Sequence, residues 1–190
     1  MKPSLINLAL LLLVALVLIL QPMRVDAETV KRSVEQYTMP DVILIDQNGK
    51  KVRLKTLLES SEPVIVDFIY GTCTTICPVL SAGYANLQRK LGAESRRVRL
   101  VSITIDPEND TPKVLKEYLQ RYQAKPGWSF LTGSRKDIDR VMRAFDAYFR
   151  DKMDHKALTF IRQPDGSWIR LYGLMSSSEF MKEYQKAGLK

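Results

Sequence analysis

The sequence predicts an α/β fold with a mixed central sheet and helices on both faces. Three observations predict it. The run Val64-Ile65-Val66-Asp67-Phe68-Ile69-Tyr70 is β-branched, apolar and nearly continuous, as in a strand covered on both sides. From that strand onward, short apolar runs alternate with segments of helical period, and parallel strands need such crossovers. The C-terminal part instead reads β-β-α, with Pro164-Asp165-Gly166-Ser167 as a tight turn between antiparallel strands.

The elements follow in order. Val42 to Asp46 reads as a strand, Gln47-Asn48-Gly49-Lys50 as a turn, and Val52-Arg53-Leu54 as the returning strand of a small hairpin. Lys55 to Glu59 fits a single helical turn. After the strand Pro63 to Tyr70, the stretch Val79 to Leu91 places Leu80, Tyr84, Leu87 and Leu91 on one helical face, and Gly92 ends it. Val98 to Ile105 alternates as a strand and stops at Asp106-Pro107. Asp110 or Thr111 caps a helix running to about Tyr122, with Val114, Leu115, Tyr118 and Leu119 apolar. Trp128 to Leu131 is a short strand. Ser134 opens a helix with Ile138, Val141, Met142, Phe145 and Phe149 on its face. Ala157 to Arg162 and Trp168 to Tyr172 form the final hairpin. Ser176-Ser177-Ser178 caps a last helix, Glu179 to about Lys186.

The N-terminus reads as a targeting segment. Lys2 precedes a run from Leu5 to Leu20 that is apolar except for Asn7, Gln21-Pro22 breaks it, and Val25-Asp26-Ala27 offers small residues for cleavage. Residues 1–27 are therefore a signal peptide cleaved after Ala27 or an N-terminal membrane anchor acting through residues 4–21. The run of 16 apolar-segment residues is slightly short for a spanning helix. In both readings the rest of the chain is exported: periplasmic, and either soluble or held at the inner membrane. Residues 28–40 are polar and read as a tether, and 41–190 as one domain with chain enough for a good core. The net charge of +8 is spread over basic residues interrupted by acidic ones, which fits a solvated surface or docking to an acidic partner. Export and the lack of any recognisable binding module exclude nucleic acid as a partner.

The chemistry concentrates in one turn. The chain has two cysteines, and both lie in Gly71-Thr72-Cys73-Thr74-Thr75-Ile76-Cys77-Pro78, directly after the central strand. Thiols at i and i+4 on a helix share a face, about 5–6 Å apart at Cβ, and can close on a metal or on each other. Helix N-terminal amides lower the pKa of a nearby thiol, and Pro78 suits a first helical turn. The C-terminal end of a sheet strand is where α/β folds place their sites. An oxidising compartment permits a disulfide there. The single histidine, His155, precedes the strand Ala157 to Arg162, so its loop reaches the thiol turn if that strand pairs beside the central one. Structural zinc takes four ligands, whereas two thiolates and one imidazole suit copper as Cu(I) or Cu(II). A partner or a carboxylate could complete a zinc shell instead.

With Cys73-Thr74-Thr75-Ile76-Cys77-Pro78, the segment Val101-Ser102-Ile103-Thr104-Ile105-Asp106-Pro107-Glu108-Asn109-Asp110-Thr111-Pro112, and His155 before the last hairpin, the chain resembles the Sco/SenC family of exported thioredoxin-fold copper proteins over most of residues 35–190. The resemblance implies a thioredoxin-like three-layer fold with an added N-terminal β-hairpin. It also implies copper held by Cys73, Cys77 and His155, and a role in maturing the dinuclear copper centre of a respiratory cytochrome oxidase. The implied partners are the copper-receiving oxidase subunit and a thioredoxin-like reductant or another copper chaperone. Many members carry Pro-Asp between the cysteines where this chain has Thr74-Thr75, which gives weight to a purely redox duty. In that alternative the protein is a thiol–disulfide oxidoreductase, with Cys73 attacking a partner disulfide and Cys77 resolving it.

Overall fold

The computed structural model describes residues 30–187. They form one eight-stranded sheet in the order β1-β8-β7-β4-β5-β6-β2-β3. The strands are β1 (Lys31–Glu35), β2 (Ile43–Asp46), β3 (Lys51–Arg53), β4 (Val64–Ile69), β5 (Arg99–Thr104), β6 (Trp128–Thr132), β7 (Leu158–Arg162) and β8 (Trp168–Tyr172). The helices are α1 (Leu54–Leu58), α2 (Cys77–Leu91), α3 (Pro112–Arg121), α4 (Arg135–Ala144) and α5 (Ser177–Lys186), with short 3₁₀ turns at Gly92–Arg97 and Lys152–Asp154. Strands β4, β5 and β6 run parallel. Strand β7 pairs antiparallel with β4, and the β2–β3 hairpin docks antiparallel on the outer edge of β6. The mixed sheet, its covering helices and the added hairpin agree with the α/β architecture expected from the sequence.

Successive residues of a strand face opposite sides of the sheet, and here the two sides carry different cores. On one side Tyr84 of α2 meets Trp128 with ring centroids 5.4 Å apart, Phe180 of α5 stacks on Tyr84 at 5.8 Å, and Tyr118 of α3 meets Phe130 at 5.3 Å. On the other, Phe145 at the end of α4 packs against Phe68 of β4 and Phe160 of β7. All six residues of β4 are buried, which is why its sequence is apolar without alternation. Strand β5 is buried along nearly its whole length too, because it lies between β4 and β6 in the middle of the sheet.

Local signals set most boundaries. Thr111 and Ser134 accept hydrogen bonds from the third backbone amides of their helices, and Ser176 with Glu179 forms a reciprocal capping box at the start of α5. In the β2–β3 turn Gly49 takes φ 79°, a conformation open to glycine at no steric cost. The Asp46 carboxylate ties that turn by accepting from the amides of Asn48 (2.8 Å) and Lys50 (2.9 Å).

Three expectations are corrected. The span read as a tether, residues 28–40, contains β1, which pairs with β8 from Lys31↔Tyr172 to Glu35↔Trp168. Tyr37, just after it, puts its ring against Phe145 at 5.3 Å. The helix α4 ends at Ala144, because Asp146 turns to φ 50°, so Phe149 does not extend its face. Helix α2 starts at Cys77 rather than Val79, so only one of the two thiols is on the helix. The segment 1–27, read as a signal peptide or anchor, lies outside the described residues. Among those described, no helix is long and apolar enough to cross a membrane.

Candidate metal centre

The sheet topology brings the three expected residues together. Strand β4 ends at Ile69, and the chain turns through Tyr70 to Cys73, whose amide donates to the Tyr70 carbonyl at 3.2 Å. Cys77 is the first residue of α2, with Pro78 in the first turn, where the missing N–H leaves nothing unsatisfied. Strand β7 runs antiparallel to β4 with Asp67 opposite Thr159, so the loop before β7 lies beside the end of β4. That loop carries His155. Its Nε2 is 3.2 Å from Cys77 Sγ, although 78 residues separate the two. One ligand atom from each of Cys73, Cys77 and His155 lies within 4.8 Å of the others. Both thiols are free. The three residues are 6%, 0% and 7% exposed, so Cys77 is fully enclosed while Cys73 and His155 each keep a small exposed area.

The imidazole is held in one tautomer. Nδ1 of His155 is 2.8 Å from the Lys152 carbonyl oxygen, which only accepts, so Nδ1 carries the proton and Nε2 turns its lone pair toward Cys77. Burial lowers the His155 pKa; the Lys152 carbonyl opposes this and Lys156 adds to it. The shift favours the neutral ring, the form that binds metal. Orientation through the second nitrogen is how proteins aim histidine ligands.

The two thiols differ. Burial pushes the Cys73 thiol up, but the Cys77 S–H, the Cys77 and Thr75 amides and the Thr75 hydroxyl outweigh it and hold Cys73 below the ordinary thiol value. Its sulfur is 3.6 Å from Thr75 Oγ1. Thr75 thus presents a donor to the thiolate where an aspartate would present negative charge. Burial pushes Cys77 far above the ordinary range, and its donation to Cys73 and the nearby charge of Asp67 add to this. Tyr70 closes the cluster, with its ring edge-on to His155 at 5.2 Å. Its hydroxyl is pushed up to about 12, first by burial and then by Cys73. This asymmetry predicts that Cys73 reacts with iodoacetamide near neutral pH about tenfold or more faster than Cys77. Peptide mass analysis of a labelling time course across pH checks it; equal rates would contradict the asymmetry.

Four residues of this region had no assigned site role in the sequence. Tyr70 was read only as the end of a strand. Of Asp110 and Thr111, the two residues the sequence offers as the α3 cap, Thr111 is the cap. Asp110 instead accepts from the Gly71 amide (3.1 Å to each carboxylate oxygen) and from Thr104 Oγ1 (2.5 Å). Lys152 pairs with Asp106 at 2.6 Å. Asp67 lies in the middle of β4, fully buried and without a hydrogen-bond partner for either oxygen. The one signal available for it was a charge inside an otherwise apolar strand.

A family model described as SCO1/SenC matches residues 30–187. The SCO1 protein homolog of Bacillus subtilis (strain 168) is 35% identical over 143 residues, covering 71% of this chain and 73% of the relative. Among solved structures, BsSco is described as having a disulfide switch and as a member of the Sco family of cytochrome c oxidase assembly proteins. It is 31% identical, with a TM-score of 0.67, covering 82% of this chain and 95% of its own. ScoI of Bradyrhizobium japonicum, solved with copper bound, is 26% identical with a TM-score of 0.66, covering 80% and 99%. The three-layer sheet described above is thus the thioredoxin-like fold of these structures.

Proposed function

Because the chain belongs to the SCO1/SenC family, we propose that it is an exported copper-binding protein that delivers copper to the dinuclear copper site of a respiratory cytochrome oxidase, or reduces the cysteines of that site. One observation carries this reading: the chain's only two cysteines and only histidine converge within 4.8 Å. Cys73, Cys77 and His155 are the proposed ligands. The copper-bound state of the Bradyrhizobium japonicum relative supports the metal, and so does the donor chemistry, since two thiolates favour Cu(I) and the added imidazole suits Cu(II). Among the described residues no carboxylate joins the group, so a four-ligand zinc shell is incomplete.

The chain's own groups divide the work. Cys73 is the more acidic thiol, Cys77 holds its proton until metal binding or disulfide closure removes it, and Nε2 of His155 needs no deprotonation. Thr74, Thr75 and Met153 are exposed around the buried cluster, and this rim is where a copper-receiving oxidase subunit would meet the metal. A thioredoxin-like reductant or another copper chaperone would use the same rim. Residues 4–21 would tether the chain to the inner membrane, or cleavage near Ala27 would release it to the periplasm.

The unequal thiols favour a second, compatible activity. Cys73 thiolate would attack a partner disulfide, forming a mixed disulfide and expelling one partner thiolate. Cys77 would then lose its proton, form the Cys73–Cys77 disulfide and expel the second. Two electrons pass to the partner, and the oxidised turn no longer binds copper.

Copper titration of the reduced full chain, followed by thiolate-to-Cu(II) absorbance, tests the primary reading. His155→Ala is expected to weaken Cu(II) binding by about 100-fold or more, since loss of even an outer partner costs about 10–100-fold, and to shift the charge-transfer band. Equal copper binding by wild type and His155→Ala, or binding by neither, would remove the basis of the proposal. Rapid reduction of a model disulfide that needs Cys73 but ignores His155 would favour the oxidoreductase.

A further inference from the structure

The loop after β5, Asp106 to Asp110, touches both loops that carry the proposed ligands, and touches each through a carboxylate. Asp110 holds the thiol loop. Both of its oxygens accept from the Gly71 amide at 3.1 Å, two residues before Cys73. A Cβ at position 71 would sit 2.7 Å from Asp110 Oδ1 and 3.2 Å from Val114 Cγ1, so any larger residue there would displace the Asp110 carboxylate. Asp106 holds the histidine loop. Its Oδ2 is 2.6 Å from Lys152 Nζ, and Asn109 Nδ2 orients the carboxylate at 3.0 Å to each oxygen. Thr104 ties the Asp110 carboxylate to the Asp106 backbone: its hydroxyl donates to Asp110 and accepts from the Asp106 amide at 2.9 Å.

Lys152 acts on His155 from both ends. Its carbonyl accepts from His155 Nδ1 at 2.8 Å. Its ammonium, pinned by Asp106, lies 5.3 Å from the centre of the Tyr70 ring, and that ring stands edge-on to the imidazole at 5.2 Å. An ion pair between exposed groups contributes little, but here only the Lys152 side chain is partly exposed, at 37%, while the Asp106 side chain is 7% exposed and held by Asn109, so the pair is anchored from its buried carboxylate.

We propose that the Asp106–Lys152 pair is a positioning device for His155: it fixes the imidazole at Cys77 while Asp110 fixes the thiol loop from the same turn, so this one turn sets the spacing between imidazole and thiols. Lys152 and Asp106 lie outside the group of Cys73, Cys77 and His155. Their effect falls on the imidazole and spares the thiols.

The inference rests on the copper reading only for one arm of its test. In the metal-free, reduced full chain, the nuclear Overhauser contact between the His155 and Tyr70 rings reports the position of the imidazole. Lys152→Met keeps the aliphatic stem and removes the charge, and this contact is expected to be lost or strongly weakened. In the copper arm, Lys152→Met is expected to lower Cu(II) affinity by about 10-fold or more, the effect typical of an outer partner, with Cu(I) affinity little changed because the thiols carry it. Asp106→Asn should reproduce both effects, and the double variant should be no worse than either single one, as for residues acting through one contact. Retention of the ring contact in Lys152→Met, additive losses in the double variant, or equal loss of Cu(I) and Cu(II) would each overturn the proposal. Loss of the ring contact in a chain whose wild type binds no copper would uphold the positioning role and refute the copper reading separately.

Discussion

Replacing Asp67 by asparagine is expected to stabilise the fold by about 2–4 kcal/mol at pH 8 and by almost nothing near pH 4. Asp67 is fully buried, and neither carboxylate oxygen has a partner. Burial pushes its pKa from the ordinary 3.8 up to about 7, with the Ser102 side chain opposing the shift. Ser102 stands opposite Asp67 in the β4–β5 register and accepts from Trp128 Nε1 at 3.0 Å, and its hydroxyl stays short of a hydrogen bond to Asp67. The unfolded carboxyl ionises near 3.8, whereas the folded one keeps its proton until about 7. Between those values the unfolded state sheds a proton that the folded state retains, so stability falls as pH rises and levels off above pH 7. Each unit of displacement is worth about 1.4 kcal/mol, which sets the upper end of the expected range. Below pH 4 both states are protonated, and wild type and Asp67→Asn converge. Urea unfolding at pH 4, 6 and 8 checks this; a gap independent of pH would show that charge is not its source.

A destabilising carboxyl in the best-packed strand is informative in itself. Residues that lower stability without an evident packing gain concentrate at functional sites. Asp67 adds its charge to the groups that raise the Cys77 thiol, and it burdens the equally unpartnered Tyr84 hydroxyl in the same way. The polar cost of this fold is concentrated beneath the thiol turn.

How much of this was legible follows from what each feature depends on. Strand β4 was readable because burial on both faces demands an unbroken apolar run. Strand β1 was not: Lys31, Arg32 and Val34 are exposed, and an edge strand made by backbone pairing to β8 leaves no apolar pattern to read. The end of α4 was misplaced because Asp146 reverses the chain at positive φ without a glycine to announce it. Cys73, Cys77 and His155 were legible from composition alone, since the chain offers no other thiol or imidazole. Their convergence needed the β4–β7 pairing. The supporting contacts of Lys152, Asp106 and Asp110 were illegible because bonds between loops follow no period in sequence. Asp110 and Thr111 cannot be told apart in sequence for a related reason: both residues before Pro112 suit a cap, and only the fold shows the Asp110 carboxylate turned back to Gly71.

Phe145→Ala is expected to destabilise the protein by about 3–5 kcal/mol while leaving copper binding essentially intact. Phe145 is fully buried, and its ring meets Phe160 at 4.9 Å, Trp168 at 5.2 Å, Tyr37 at 5.3 Å and Phe68 at 5.5 Å. These partners come from β7, β8, the segment after β1, and β4, so truncation opens a cavity where four separate pieces of chain meet. A loss of that size is a large share of the roughly 5–15 kcal/mol that holds a typical domain together, and it should appear as a lower urea midpoint with little change in slope. The site should be spared for a geometric reason. Phe68 faces the Phe145 side of the sheet, while its neighbour Asp67 faces α2, and Cys77 lies on α2. The turn that sets His155 against the thiols is tied by Asp106, Asp110 and Thr104, none of which packs in this aromatic cluster. A parallel fall in copper affinity and stability would mean instead that the two faces of β4 are coupled, and that the aromatic core helps to place the imidazole.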